Sequence, residues 1–405
     1  MSVWVQGGAV LSTAAGMLGW EHMLITAGAA AALCWCILAV LLKTGYAWDL
    51  ATDVPNHRSL HTRPTPRVGG LGLMPACLCI GALVAPTFRI AALIALGLVL
   101  ISQIDDRRGL PARVRFAVHL ACAVVFVITG WWFGSVREAI TGGADALGVQ
   151  NGLFFVIIVM AFAIIAFVWT MNLYNFMDGM DGLAGGMACF GFSAYAIAAF
   201  FAMHNSENAL SVETVVKVAE AGRDLAMLRD ITLASCATAG AALGFLFWNA
   251  PPAKLFLGDA GSVPLGFLAA ALGWLGWSHG AWPAAFPFLV FSPFAADATV
   301  TLLRRLLRGE RFWEAHREHY YQRMVRMGWP RGRVLLIAYG AMAGAAAFAL
   351  LYVRFDIYDI SHVTGGIDAR RLQRLMAVLC FLGLAGIGVF VDRRWARFIC
   401  AATRN

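Results

Sequence analysis

The sequence predicts an all-α, polytopic membrane bundle of about eleven transmembrane helices, with the N-terminus outside and the C-terminus cytoplasmic. Three observations carry that prediction. Hydrophobic residues fill 60% of the 405 positions, charged residues only 13%, and the mean hydropathy is +0.72; soluble domains carry about 25% charged residues. The apolar residues come in long uniform runs, unlike the ~10-residue alternating segments of a spanning β-barrel. Lys and Arg are unevenly divided among the connecting loops, with 22 of 31 on one side, which the positive-inside rule makes cytoplasmic.

The apolar runs are 23–43, 68–86, 88–104, 114–133, 152–172, 183–203, 230–249, 262–280, 284–303, 333–353 and 373–391. Each approaches the ~20 residues that a helix needs to cross the hydrocarbon core. The stretch 1–22 is mildly apolar but has no basic n-region. It does not read as a cleaved signal peptide, and is either a short amphipathic lead or an over-long start. No internal repeat or low-complexity linker divides the chain, so 1–405 is expected to be one membrane domain. Its cytoplasmic loops fall at about 44–67, 105–113, 173–182, 250–261 and 304–332. The net charge of +8 follows mostly from the positive-inside bias and does not argue for nucleic acid. The nine cysteines lie almost entirely in the runs, and Cys34/Cys36 and Cys77/Cys79 have one residue between partners. Zinc spacing is two to four, so these thiols read as small hydrophobes.

Five polar motifs interrupt this pattern, all on the cytoplasmic side. The densest is N-L-Y-N-F-M-D-G-M-D-G-L-A-G-G, from Asn172 to Gly186. Acids at a membrane edge mark a functional site by default. Asp178 and Asp181 also suit the N-terminus of the next helix, but one Asp suffices for that. The first loop, D-V-P-N-H-R-S-L-H-T-R-P-T-P-R-V-G-G, is stiffened by three prolines and made cationic by Arg58, Arg63, Arg67, His57 and His61. It reads either as a loop attracting anionic lipid or, at Arg67 with Gly69 and Gly70, as a phosphate-facing helix start.

Asp105 and Asp106 are adjacent in Q-I-D-D-R-R-G-L-P. They are a surface pair balanced by Arg107 and Arg108, a magnesium-linked pair, or a base. In K-L-F-L-G-D-A-G-S, Asp259 stands between Gly258 and Gly261, with Ser262 as an expected N-cap. An Asp there suits a hard cation, and the free amides suit phosphate. The longest loop contains H-R-E-H-Y-Y-Q-R, with His316, Arg317, His319 and Arg323. It is either a basic helix lying on the membrane or a reader of a phosphorylated ligand. Asp297 is expected to pair with Arg304 and reads as structural.

Acids and amides for Mg²⁺, arginines for pyrophosphate and glycine-rich helix starts at one membrane face suit phosphoryl transfer, in which positioning and charge neutralisation dominate. On these five motifs, taken in order over about residues 23–395, the chain resembles the polyprenyl-phosphate N-acetylhexosamine-1-phosphate transferases. The resemblance implies transfer of a sugar-1-phosphate from a UDP-N-acetyl sugar to undecaprenyl phosphate at a bacterial inner membrane. UMP would be released and cell-surface glycan synthesis begun. It implies Mg²⁺, or Mn²⁺ in its place, on Asn175 and Asp259, and an essential acidic pair at Asp105 and Asp106. Asp181 matches the uracil reader, and Asp178 takes a supporting part in substrate binding. Arg67, Gly69 and Gly70 fall on the pyrophosphate side, and Arg58 of the same loop is expected among the substrate-binding residues. His316, Arg317, His319 and Arg323 belong to the loop where the family carries H-x-H-H, of which His319 matches the first position. The two later positions are Tyr321 and Gln322 here. That departure is similar to the O-antigen-initiating branch, whose members often use 6-deoxy N-acetyl sugars; a GlcNAc-1-phosphate transferase is the alternative. The partners implied are the UDP-sugar, undecaprenyl phosphate and membrane lipid, without nucleic acid, and with a homodimer as an open possibility. A secondary transporter fits worse, because its ionisable groups sit at mid-bilayer in repeated halves.

Overall fold

The computed structural model describes residues 18–55, 63–132, 140–141, 152–209, 215–311, 316–357 and 369–402. Arg58, His57 and His61 lie outside the described residues, as does most of the 1–22 lead.

The chain is helical almost throughout. Helix α1 is Trp20–Thr44 and α2 is Tyr46–Leu50. A two-stranded ribbon follows, β1 (Thr52–Asp53) and β2 (Thr65–Pro66). Then come α3 (Gly69–Val84), α4 (Arg89–Arg108), α5 (Ala112–Trp132), α6 (Gly152–Phe176), α7 (Leu183–Ala209), α8 (Val215–Asn249) and α9 (Asp259–Ser278). The chain continues through α10 (Ala285–Val290), α11 (Ser292–Leu307), α12 (Tyr320–Arg326), α13 (Arg331–Ile357) and α14 (Ala369–Ala402).

Each of the eleven expected runs falls on helix. Among the described residues, nine helices are long and apolar enough to span a bilayer. The other two runs differ for visible reasons. Helix α3 has only 16 residues and carries Pro75. The run 284–303 breaks at Phe291 into α10 and α11. Pro293 lies in the first turn of α11, where its missing N–H is harmless, but it could not have continued the ladder of α10.

Three helices form the inner layer. The spanning windows of α7, α8 and α9 are 72%, 78% and 78% buried, against 17–39% for α1, α4, α5, α6, α13 and α14. The latter therefore ring the centre and turn apolar faces outward, which only lipid satisfies at this scale. This is an all-α, multi-pass membrane protein.

The alternation of helices gathers the polar motifs at one end of the bundle. Asp105 and Asp106 end α4, Arg115 begins α5, Asn175 ends α6, Asp178 follows it and Asp259 begins α9. The ribbon completes the set. Pro64 and Pro66 favour an extended path through residues 65–67. Thr52 pairs with Pro66 and Asp53 with Thr65. Arg67 donates its amide to Ala51 O at 2.9 Å and forms a parallel bridge with Phe256. The first loop is thereby stitched to the segment that leads into α9.

Candidate active site

The site is built around the first turn of α9. Gly258 precedes it with φ +75°, a conformation glycine adopts without steric penalty. A helix start leaves its first amides without intrahelical partners. Here two carboxylates take them. Gly258 N–H donates to Asp178, and the amides of Asp259 and Ala260 donate to Asp106 Oδ1 and Oδ2 at 3.2 and 3.0 Å. These amides are therefore not open to phosphate, contrary to the sequence-based expectation. Ser262 is likewise not the N-cap but a residue of the first turn, and its Oγ accepts from Asn175 Nδ2 at 3.3 Å.

Gly69 and Gly70 require a similar correction. Their amides donate to Phe256 O and Leu257 O, both at 2.8 Å, so neither faces an anion. The missing side chains matter instead. A Cβ on Gly69 would lie 2.8 Å from Phe256 O, and one on Gly70 would lie 2.5 Å from the Ala260 carbonyl carbon and closer still to Gly261 N. The two glycines let α3 and α9 begin in backbone contact.

Charge at the site forms a ladder. Arg67 Nη2 lies 3.3 Å from Asp106 Oδ1 and 3.2 Å from Asp259 Oδ1. Arg115 Nη1 lies 3.3 Å from Asp105 Oδ2 and 3.7 Å from Asp259 Oδ2. Asp259 thus stands between two guanidiniums, and Asn175 also hydrogen-bonds its carboxylate. Burial opposes the charge on Arg67, but Asp106, Asp259, Asp53 and Asp178 outweigh it and hold the guanidinium protonated. Asp178 joins the same cluster. Burial pushes its carboxyl well above the usual range, with Asp259 and Asp106 adding to the effect and Arg67 and the Gly258 N–H opposing it.

The adjacent pair Asp105–Asp106 divides its work. The Asp106 side chain is 1% exposed, and both oxygens are engaged by Arg67 and the α9 amides. Asp105 accepts from Leu110 N at 2.5 Å and pairs with Arg115, yet it lines a cavity of about 860 Å³. Arg115, Asn175 and Asp259 share that end of the cavity, while Leu98, Phe116, Leu120 and Ile165 make its flank apolar.

Asp181 lies elsewhere. Its Oδ2 accepts from Ala253 N at 3.2 Å and lies 3.9 Å from Arg331 Nη1. Gly182, at φ +77°, donates its amide to Asn249 Oδ1 at 2.8 Å. The Asn172–Gly186 motif therefore serves two places, with Asn175 and Asp178 on the α9 ladder and Asp181 on the 249–253 turn.

The long loop docks against the same motif. Asp297 does not pair with Arg304, as the sequence suggested. It accepts from His319 Nδ1 at 3.1 Å and from the amides of Tyr320 and Tyr321 at 3.0 and 3.4 Å, and so holds the start of α12. His319 stacks on Phe176, and Tyr321 Oη donates to Phe176 O at 3.3 Å. His316 packs against the His319 ring, and burial, followed by His319 and Arg305, lowers its pKa to about 4. The carbonyl of Arg317 accepts from Arg326 Nη1 at 3.2 Å.

Arg323 is buried and donates to Asp392 of α14 at 3.0 Å. Arg304 grips the same carboxylate with both nitrogens at 2.7 and 2.6 Å. Arg323 therefore meets Asp392 and not the ladder. Asp392→Leu should lower stability by about 3 kcal/mol, because it removes the close partner of the buried Arg323 guanidinium, at 3.0 Å, and leaves it only Glu318 at 3.8 Å; thermal unfolding in detergent measures this, and an unchanged midpoint would contradict it.

A family model described as glycosyl transferase family 4 matches residues 88–276. The decaprenyl-phosphate N-acetylglucosaminephosphotransferase of Mycolicibacterium smegmatis is 30% identical over 332 residues, which span 75% of this chain and 76% of that protein. The chain belongs to the polyprenyl-phosphate N-acetylhexosamine-1-phosphate transferase family. It is also similar to a probable undecaprenyl-phosphate N-acetylglucosaminyl 1-phosphate transferase of Bacillus subtilis, 26% identical over 71% of this chain and 74% of that one. A phospho-N-acetylmuramoyl-pentapeptide-transferase of Frankia casuarinae is 31% identical over 57% of this chain and 68% of that one.

Within this transferase, the family match contains the whole ladder except Arg67. Sequence reasoning passed over Arg115, which it counted only as a loop charge, and His119, a buried residue lining the cavity. A signal for His119 was present, since an ionisable side chain inside an apolar span suggests function by default.

Proposed function

We propose that this transferase moves an N-acetylhexosamine-1-phosphate from a UDP-linked donor to a polyprenyl phosphate, releasing UMP and starting a cell-surface glycan. The observation that carries this reading is the cavity, which joins an apolar flank to the Asp105–Arg115–Asp259–Arg67 ladder. A lipid acceptor suits the flank, and its phosphate suits the charged end. A phosphate monoester has a second pKa near 6 and is already largely ionised at neutral pH. One of its oxygens attacks the β-phosphorus of the donor. A new P–O bond forms as the bond to the bridging oxygen breaks, and UMP leaves with that oxygen.

The residues share this task. Asp105 faces the cavity and, with Arg115, orients the attacking phosphate. Asp106 and Asp178 fix the start of α9 and hence Asp259. Arg67 stands beside Asp259, where a donor pyrophosphate needs cationic partners. Asp181 and the 249–253 turn take the nucleobase side.

Asn175 and Asp259 would hold Mg²⁺, or Mn²⁺ in its place. The fit is in the donor set, since these are hard oxygen ligands. Four carboxylates also face only two guanidiniums, and one buried carboxyl is held back from ionising. Among the described residues no three acidic, His or Cys side chains form a closed metal cage. Mg²⁺ commonly uses one or two carboxylates together with substrate phosphates. When bound, the ion neutralises charge on the transferring phosphoryl group.

The distribution of Lys and Arg supports an N-terminus outside and the ladder on the cytoplasmic face of a bacterial inner membrane. For the sugar, GlcNAc comes first, because two of the relatives above are named for it. Tyr321, whose departure from the family pattern suggested a 6-deoxy sugar, is buried and bonded to Phe176 O, so it serves docking. Purified protein incubated with UDP-GlcNAc, polyprenyl phosphate and Mg²⁺ should release UMP and lose that activity in EDTA. Absence of UMP from UDP-GlcNAc and from a panel of 6-deoxy N-acetyl donors would refute the reading.

A further inference from the structure

The cavity contains a polar pair deeper than its charged end. His119 follows Arg115 by four residues on α5, so the two share a helix face one turn apart. His119 is only 7% exposed, and both it and Asn172 line the cavity. Asn172 Nδ2 donates to Val168 O at 2.7 Å and to His119 Nδ1 at 3.4 Å. The amide is thus anchored on its own helix, and it uses Nδ1 of the ring as an acceptor. A neutral imidazole that accepts at Nδ1 carries its proton on Nε2. Among the described residues, no protein partner is recorded for that Nε2–H.

An N–H donor beside an apolar wall is unfavourable unless something accepts from it. A polyprenyl chain has no acceptor atoms, whereas its phosphate has several oxygens. We propose that His119 Nε2–H hydrogen-bonds the phosphate group of the lipid acceptor and sets how deep that phosphate sits beside Asp105 and Arg115. Asn172 is the positioning residue that fixes the ring. This inference rests on the reading that polyprenyl phosphate occupies the cavity.

The test uses full-length protein in nanodiscs, with KM measured separately for polyprenyl phosphate and for UDP-GlcNAc. His119→Leu should raise KM for the lipid about tenfold or more, as loss of a hydrogen bond to a charged group does, and leave KM for the nucleotide sugar within about twofold. His119→Gln, which keeps a donor near Nε2, should restore most of the loss. Asn172→Leu should raise the same constant by less, and the double variant should be no worse than His119→Leu alone. An unchanged lipid KM in His119→Leu, or an equal rise for both substrates, would overturn the proposal. Should His119→Leu unfold, a tenfold loss in a well-folded His119→Gln would overturn it as well. Failure of the unmodified protein to bind polyprenyl phosphate would instead defeat the reading of the cavity itself, and the proposal with it.

Discussion

Asp259→Ala is expected to lower UMP release by about 10³-fold or more, the scale seen when a group that stabilises developing charge is removed. The same substitution should leave thermal stability unchanged or slightly raised. Asp259 stands 3.2 Å from Arg67 and 3.7 Å from Arg115. Each arginine keeps a second partner, Asp106 at 3.3 Å and Asp105 at 3.3 Å. Removal therefore strands no cation and relieves crowding among four carboxylates. Initial rates and unfolding midpoints on the same preparation separate the two effects. Full activity would remove Asp259 from the site, and a collapsed midpoint would make it a structural residue.

Gly70→Ala should damage both stability and turnover. The added methyl would lie 2.5 Å from the Ala260 carbonyl carbon, so the obstacle is backbone and not a flexible side chain. Overpacking typically costs about 1–3 kcal/mol, and with no rotamer to yield the upper end applies. Relief requires α3 and α9 to part. Any shift of α9 moves Asp259 relative to Arg67 and Asn175, and a misplacement of about 1 Å can cost ~10²-fold in rate. Gly97→Ala is the matched control, because nothing lies within 4 Å of its added carbon. Equal behaviour of the two variants would show that the close approach is unimportant.

Much of this architecture was legible in the sequence because membrane helices obey a local rule. A run of about 20 apolar residues declares itself without reference to the rest of the chain, and all eleven runs fall on helix. The clustering of polar motifs was legible for a related reason, since alternating spans place every second loop on one face. What escaped was pairing across the chain. Asp106 caps a helix that starts 153 residues later, and no spacing rule predicts that register. Asp178 was given a minor part because an Asp before a helix looks like that helix's own cap; it accepts instead from Gly258, ahead of a different helix. Gly69 and Gly70 looked like an anion-binding start because pattern alone cannot distinguish a glycine that bares its amide from one that admits a neighbour. Arg323 suggested phosphate for want of any sign that Asp392 would reach it.

That carboxylate on α14 also bears on the order in which the protein is made. Asp392 lies 69 residues beyond Arg323 and 88 beyond Arg304. At ribosomal speeds of about 5–20 residues per second, roughly 3 to 14 seconds separate synthesis of Arg323 from that of its partner. During that interval the segment bearing His319 has its Asp297 anchor but not its second clamp. Every residue of the ladder precedes Arg304 in the chain, so the Asp392 clamp is the last of these contacts that synthesis makes available.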